Sequence, residues 1–110
     1  MKIFVDANVL VAVLNREYPL FSDAARVLSL SDKPGFHVYT SPVCLAIAFY
    51  FAEKKSGAAV AKQKIALLNN HITVATTDQN VVNQALNNKQ VLDFEDGLEY
   101  YTALGAGCQV

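Results

Sequence analysis

Tryptophan is absent and cysteine is scarce. Cys44 and Cys108 are the two cysteines, far apart and outside any Cys-x-x-Cys spacing, which leaves two buried thiols of a reducing cytoplasm as their reading. A basic excess is also missing. Nine Lys and Arg face ten Asp and Glu, for a formal net charge of -1. Nucleic-acid binders are as a rule visibly basic, so any contact with RNA must rest on a local patch or on metal ions. Glycine-rich phosphate loops of the forms G-x-x-x-x-G-K-[ST] and G-x-G-x-x-G do not occur, nor does a G-x-S-x-G elbow; their absence argues against a nucleotide-cofactor enzyme and a serine hydrolase. His37 and His71 lack H-E-x-x-H or any paired spacing, so both read as structural. No stretch approaches the roughly 20 apolar residues that span a bilayer. The apolar run from Ile3 to Leu14 is interrupted by Asp6 and Asn8 and has no small-residue cleavage site behind it, unlike a secretory signal. A cytoplasmic protein without a membrane segment is expected.

What is present is apolar bulk: 53% of the 110 residues are hydrophobic. That suffices for one packed core, and the length leaves no room for a second, so residues 1–110 are expected to form a single domain. Lys2-Ile3-Phe4-Val5 reads as a short strand that stops at Asp6. Val9–Leu14 is apolar on every side and predicts a buried first helix. A second helix is expected from Leu20 to Leu30, with Phe21, Ala25 and Leu28 on one stripe. The turn Asp32-Lys33-Pro34-Gly35 precedes a second strand, Phe36–Tyr39. Ser41-Pro42 opens a third helix as cap and first residue, with Val43, Ile47 and Tyr50 on one face and an end near Lys55. Past Gly57, the stripe Ala61, Ile65 and Leu68 marks a fourth helix, and Ile72–Ala75 a third strand. Asp78 caps a fifth helix through Leu86, and Asp93 a sixth through Leu104. Cys108-Gln109-Val110 looks like the opening of a fourth strand. Strands separated by helices predict a largely parallel sheet covered on both faces, an α/β/α three-layer architecture.

Two acidic elements carry the chemistry. Asp6 ends the first strand and so lies at the carboxyl edge of the sheet, where open α/β folds bind ligands. Asn8 is placed to cap the first helix and orient Asp6; that Asp6 is itself nothing more than a cap is an equal alternative. The second element, Asp93-Phe94-Glu95-Asp96-Gly97-Leu98-Glu99, sets four carboxylates within seven residues. Asp93 and Asp96 are three apart and share a helix face, while Phe94, Leu98 and Tyr101 form a stripe expected to pack on the sheet. A helix dipole stabilises the first one or two such carboxylates, and a divalent cation would stabilise more. Hard carboxylate oxygens suit Mg²⁺, which polarises phosphoryl oxygens and acidifies bound water. A solvated acidic first turn is the plain alternative.

The opening Met1-Lys2-Ile3-Phe4-Val5-Asp6-Ala7-Asn8-Val9-Leu10 resembles the D-x-N start of PIN domains, and Asp93–Tyr100 resembles their later D-x-x-D-A-L segment. Thr40-Ser41 leading into the third helix is similar too. This resemblance, which spans the chain, implies a parallel sheet in the order 3-2-1-4-5 and cleavage of RNA with Mg²⁺ or Mn²⁺. Asp6, Asp96 and Asp93 take the catalytic positions, Asp6 and Asp96 as metal ligands, with Asn8 and Ser41 in support. It further implies a ribonuclease related to the toxins of toxin–antitoxin pairs, with an antitoxin protein as partner and homodimers common. Two positions depart from the pattern: Ile47 stands where the family usually carries a glutamate, and the last acidic position and final strand fall beyond Val110. The competing function is therefore a PIN-like module that binds RNA or protein without cleaving. A receiver-like signalling domain is a weaker reading, since its central aspartate and late lysine are not placed. Lys54, Lys55, Lys62 and Lys64, with Arg16 and Arg26, are candidate phosphate contacts, though solvated helix faces explain the lysines as well.

Overall fold

The computed structural model describes residues 1–16, 25–26, 28–90 and 93–108. Three short parallel strands make the sheet: β1 (Lys2–Phe4), β2 (His37–Thr40) and β3 (Thr73–Val74). β2 is central, with Ile3 opposite Val38 and Tyr39 opposite Thr73. This is the 3-2-1 portion of the expected order. The expected fourth strand lies outside the described residues apart from Cys108, which is buried.

Five helices lie wholly among the described residues: α1 (Ala7–Leu14), α2 (Pro42–Ser56), α3 (Ala58–Asn69), α4 (Gln79–Asn87) and α5 (Phe94–Gly105). A 3-10 turn covers Leu30–Asp32. The helix expected over Leu20–Leu30 falls mostly outside the described residues, although Ala25, Arg26, Leu28 and Ser29 are helical. The boundaries follow from caps. Ser41 Oγ accepts from Cys44 N at 3.1 Å and Pro42 follows at the first helical position, while Asp78 Oδ1 accepts from Val81 N at 3.1 Å. Each such cap satisfies an amide that the helix leaves without a partner, worth about 1 kcal/mol.

The main core joins α1 to β1, β2, α2 and α3 through Leu10, Val11, Val38, Cys44, Ala48 and Leu68. α1 is as buried as its all-round apolar sequence predicts, with Leu10 wholly enclosed. The buried face of α2 differs from expectation. It is Cys44, Ala48 and Ala52, four residues apart, rather than Val43, Ile47 and Tyr50. Side chains this small let the axes of α1 and α3 come close to α2, and Ala61 on α3 is likewise fully buried. Tyr50 is pushed outward and is 51% exposed. The expected stripe on α5 is also corrected: Leu98 and Tyr101 pack on Val81 and Ala85 of α4 and on Val43, while Phe94 stays largely exposed.

Gly57 joins α2 to α3 at φ 84, ψ 162, a region that essentially glycine alone occupies. A Cβ there meets nothing within 4 Å, so the strain is in the backbone alone. Gly57→Ala is expected to lower stability by about 1–3 kcal/mol in chemical denaturation, with no change in the native circular dichroism.

Candidate active site

β1 delivers Asp6 to the carboxyl edge of the sheet. Val5 N donates to Tyr39 O at 2.9 Å, and the buried Thr40 hydroxyl donates back to Val5 O at 2.9 Å. The last residue before Asp6 is thus held from both sides by β2. Asp6 has extended backbone and caps α1, its Oδ1 accepting from Val9 N at 3.1 Å. Asn8 is therefore not the cap as expected; it lies exposed in the first turn of α1, and Asp6 fills the capping role itself.

α5 supplies the second group. Asp93 is its cap, accepting from Glu95 N at 2.9 Å and Asp96 N at 3.4 Å. The helix is anchored where it is buried: Thr102 and Thr77 share a hydroxyl hydrogen bond of 2.8 Å, and Asn88 donates to Tyr101 Oη at 2.8 Å. Asp93, Glu95 and Asp96 are exposed, whereas Glu99, one turn on from Asp96, is partly buried against α2. There the Cys44 thiol donates to Glu99 Oε1 at 3.4 Å.

Glu99 is the carboxyl group of this acidic set that the motif reading passed over. Burial is the main cause that holds its carboxyl above the usual carboxylate range; the Cys44 hydrogen bond opposes this, and the charges of Asp6, Asp96 and Glu95 add to it. Asp6 and Asp96 therefore both act on Glu99, and α1 and α5 bring their acids to one side of α2. Among the described residues the sole ion pair is His71 with Asp32, so no Lys or Arg neutralises this group. Among them, too, no three His, Cys, Asp or Glu side chains stand close enough as they are to hold one ion together. Burial also pushes the Cys44 thiol up to about 11, and the neighbouring Glu99 charge adds to that shift while the Ser41 hydroxyl opposes it.

Ser41 is fully buried and shapes α2 from its cap. Ile47, in the position where the resemblance calls for glutamate, packs on the main core. The lysine group divides. Lys54 sits over the Tyr50 ring at 4.3 Å, whereas Lys55 and Lys64 reach the opposite end of α1 from Asp6, donating to Asn15 O and Leu14 O. Arg16 is beside them.

The comparisons agree with this architecture. A family model described as PIN domain matches residues 2–110, and the chain belongs to that family. Its structure is similar to that of VapC20 of Mycobacterium tuberculosis, described as a sarcin–ricin-loop-cleaving toxin. The TM-score is 0.76 at 21% identity, over 97% of this chain and 85% of that one. No curated protein matches the chain.

Two outcomes follow from the Cys44–Glu99 contact. Cys44 is expected to resist iodoacetamide at pH 8 in the native protein and to react in denaturant, since the thiolate is the nucleophile. Glu99 binds its proton more tightly folded than unfolded, so its ionisation costs stability as pH rises above the ordinary carboxylate range. Glu99→Gln should therefore raise the melting temperature at pH 7, by an amount that shrinks toward pH 4.

Proposed function

We propose that the chain is a metal-dependent endoribonuclease of the PIN type, a toxin restrained by an antitoxin protein, with Asp6, Asp96 and Glu99 as its metal-facing carboxylates. One observation carries the reading: α1 and α5 open on Asp6 and on Asp93–Asp96, and no Lys or Arg pairs with these acids among the described residues. Uncompensated carboxylates of this kind suit Mg²⁺ or Mn²⁺ in donor type and in charge, with waters filling most of the coordination. When bound, such an ion polarises a phosphoryl oxygen and lowers the pKa of a water for in-line attack.

The chain's own residues prepare that chemistry. One Asp6 oxygen is held by the α1 amide, which fixes the carboxylate and leaves its other oxygen for the cation. Asp96 lies in the first turn of α5, where the helix dipole favours its charge. Asp93 acts through the α5 amides it caps, and Ser41 through α2. Asn8 is exposed two residues after Asp6 and would serve as a polar contact for the substrate. The exposed pair Tyr50 and Phe51 suits a homodimer contact.

A second reading has its own support. Ile47 removes one ligand from the family's acidic set, which favours a PIN module that binds RNA or protein without cutting it.

Calorimetric titration with Mn²⁺ separates the two. Saturable binding in the wild type, weakened about tenfold or more by Asp6→Asn and by Asp96→Asn, is the expected result, together with metal-dependent cleavage of a structured RNA. Wild-type protein that takes up no Mn²⁺ establishes the non-cleaving reading instead.

A further inference from the structure

A cavity of about 500 Å³ opens at the carboxyl end of α1, the opposite end of that helix from Asp6. Its volume lies within the roughly 300–1,000 Å³ range of small-molecule sites. Leu14, Leu67 and Leu68 give it an aliphatic floor, and Leu67 is 66% exposed there. Lys55, Lys64 and Arg16 stand on its rim.

The two lysines have a structural duty, since each donates one hydrogen bond to a terminal carbonyl of α1 and complements its dipole. An ammonium carries three N–H donors, so each keeps two for a ligand. Arg16 has no such duty. It sits at φ 50, in the left-handed region, with its side chain exposed and no carboxylate in ion-pair contact among the described residues. Asn15 adds an independent sign. It borders the cavity at 5% exposure, and its enclosed Oδ1 has no hydrogen-bond partner among the described residues, whereas buried amides are normally satisfied.

The geometry points to a binding site for a small amphipathic carboxylate, its aliphatic body on the leucines and its head between Lys55, Lys64 and Arg16. RNA fits less well. His71 is the one ring on the lining, so a base has little to stack on. The cavity also lies the length of α1, about 12 Å, from the carboxylates of the proposed nuclease centre. The inference stands without that reading.

Calorimetric or NMR titration of the whole protein with sodium octanoate tests it, with octylammonium chloride as the charge-reversed probe. Octanoate is expected to saturate one site and octylammonium to leave it empty. Arg16→Asn, which tolerates the left-handed backbone, and Lys64→Gln should each weaken octanoate at least fivefold, and Asp6→Asn should not. Lys64→Gln also removes a helix cap, so unfolding midpoints are compared. Leu67→Ser, an exposed change, carries the test if that variant is destabilised. A blocked leucyl-glutamate dipeptide distinguishes the sources: tighter binding than octanoate assigns the carboxylate to a polypeptide, weaker binding to a free acid. Equal binding of octanoate and octylammonium, or full affinity in Arg16→Asn and Leu67→Ser, overturns the proposal.

Discussion

Thr40 and Ser41 form a buried polar step between the sheet and α2, and the candidate site is assembled around it. Thr40 Oγ1 bonds to Val5 O, one residue before Asp6, while Thr40 O accepts from Ala75 N at 2.8 Å on the other neighbouring strand. Ser41 then starts α2 by holding the amide of Cys44, whose thiol meets Glu99 on α5. In one short path the chain links β1, β3, α2 and α5. Both residues are almost wholly enclosed, and a buried hydroxyl left without its partner costs about 1–3 kcal/mol. The step therefore sets the strand positions and the acidic groups together.

The parts of this arrangement that depend on neighbours in sequence were legible from the sequence. Ser41-Pro42, Asp78 and Asp93 announce helix starts because a cap bonds two or three residues ahead. The parts that depend on a partner element were not. Which face of α2 is buried was unreadable in a run apolar on every side; the choice of Cys44, Ala48 and Ala52 is made by how closely α1 and α3 approach. Phe94 reads as core by its spacing, yet the packing of α5 on α4 leaves it outside. At the site, the placing of Asn8 as the cap failed because Asp6 competes for the same amides from the capping position itself. Glu99 was visible as a fourth carboxylate, and the i, i+3 step from Asp96 was available as a signal. Its burial against Cys44 was not, since that needs the packing of α2 on α5.

The same packing bears on Ile47. With Ile47 packed against the main core and Glu99 drawn in toward Cys44, the acidic side of the candidate site is supplied by α1 and α5, and α2 contributes a thiol and a cap. Glu99 thus carries a carboxyl group to the side of α2 beside Cys44. It does so at an energetic cost, visible in the upward shift of its own carboxyl. A carboxyl whose ionisation is opposed by burial and by three acidic neighbours is the kind of group that a cation relieves.

α1 shows why charge alone does not identify function here. Its amino end carries Asp6 and its carboxyl end receives Lys55 and Lys64, which is the arrangement a helix dipole favours with no ligand at either end. What exceeds that requirement is different at the two ends. At the amino end it is the further acids of α5, which cap nothing in α1 and repel one another through Glu99. At the carboxyl end the backbones of Asn15 and Arg16 close the helix, and what exceeds that is the Arg16 guanidinium, an Asn15 Oδ1 without a partner among the described residues and an aliphatic hollow. A helix needs only its caps; groups that remain charged, strained or unsatisfied after the caps are counted are the ones that call for a ligand.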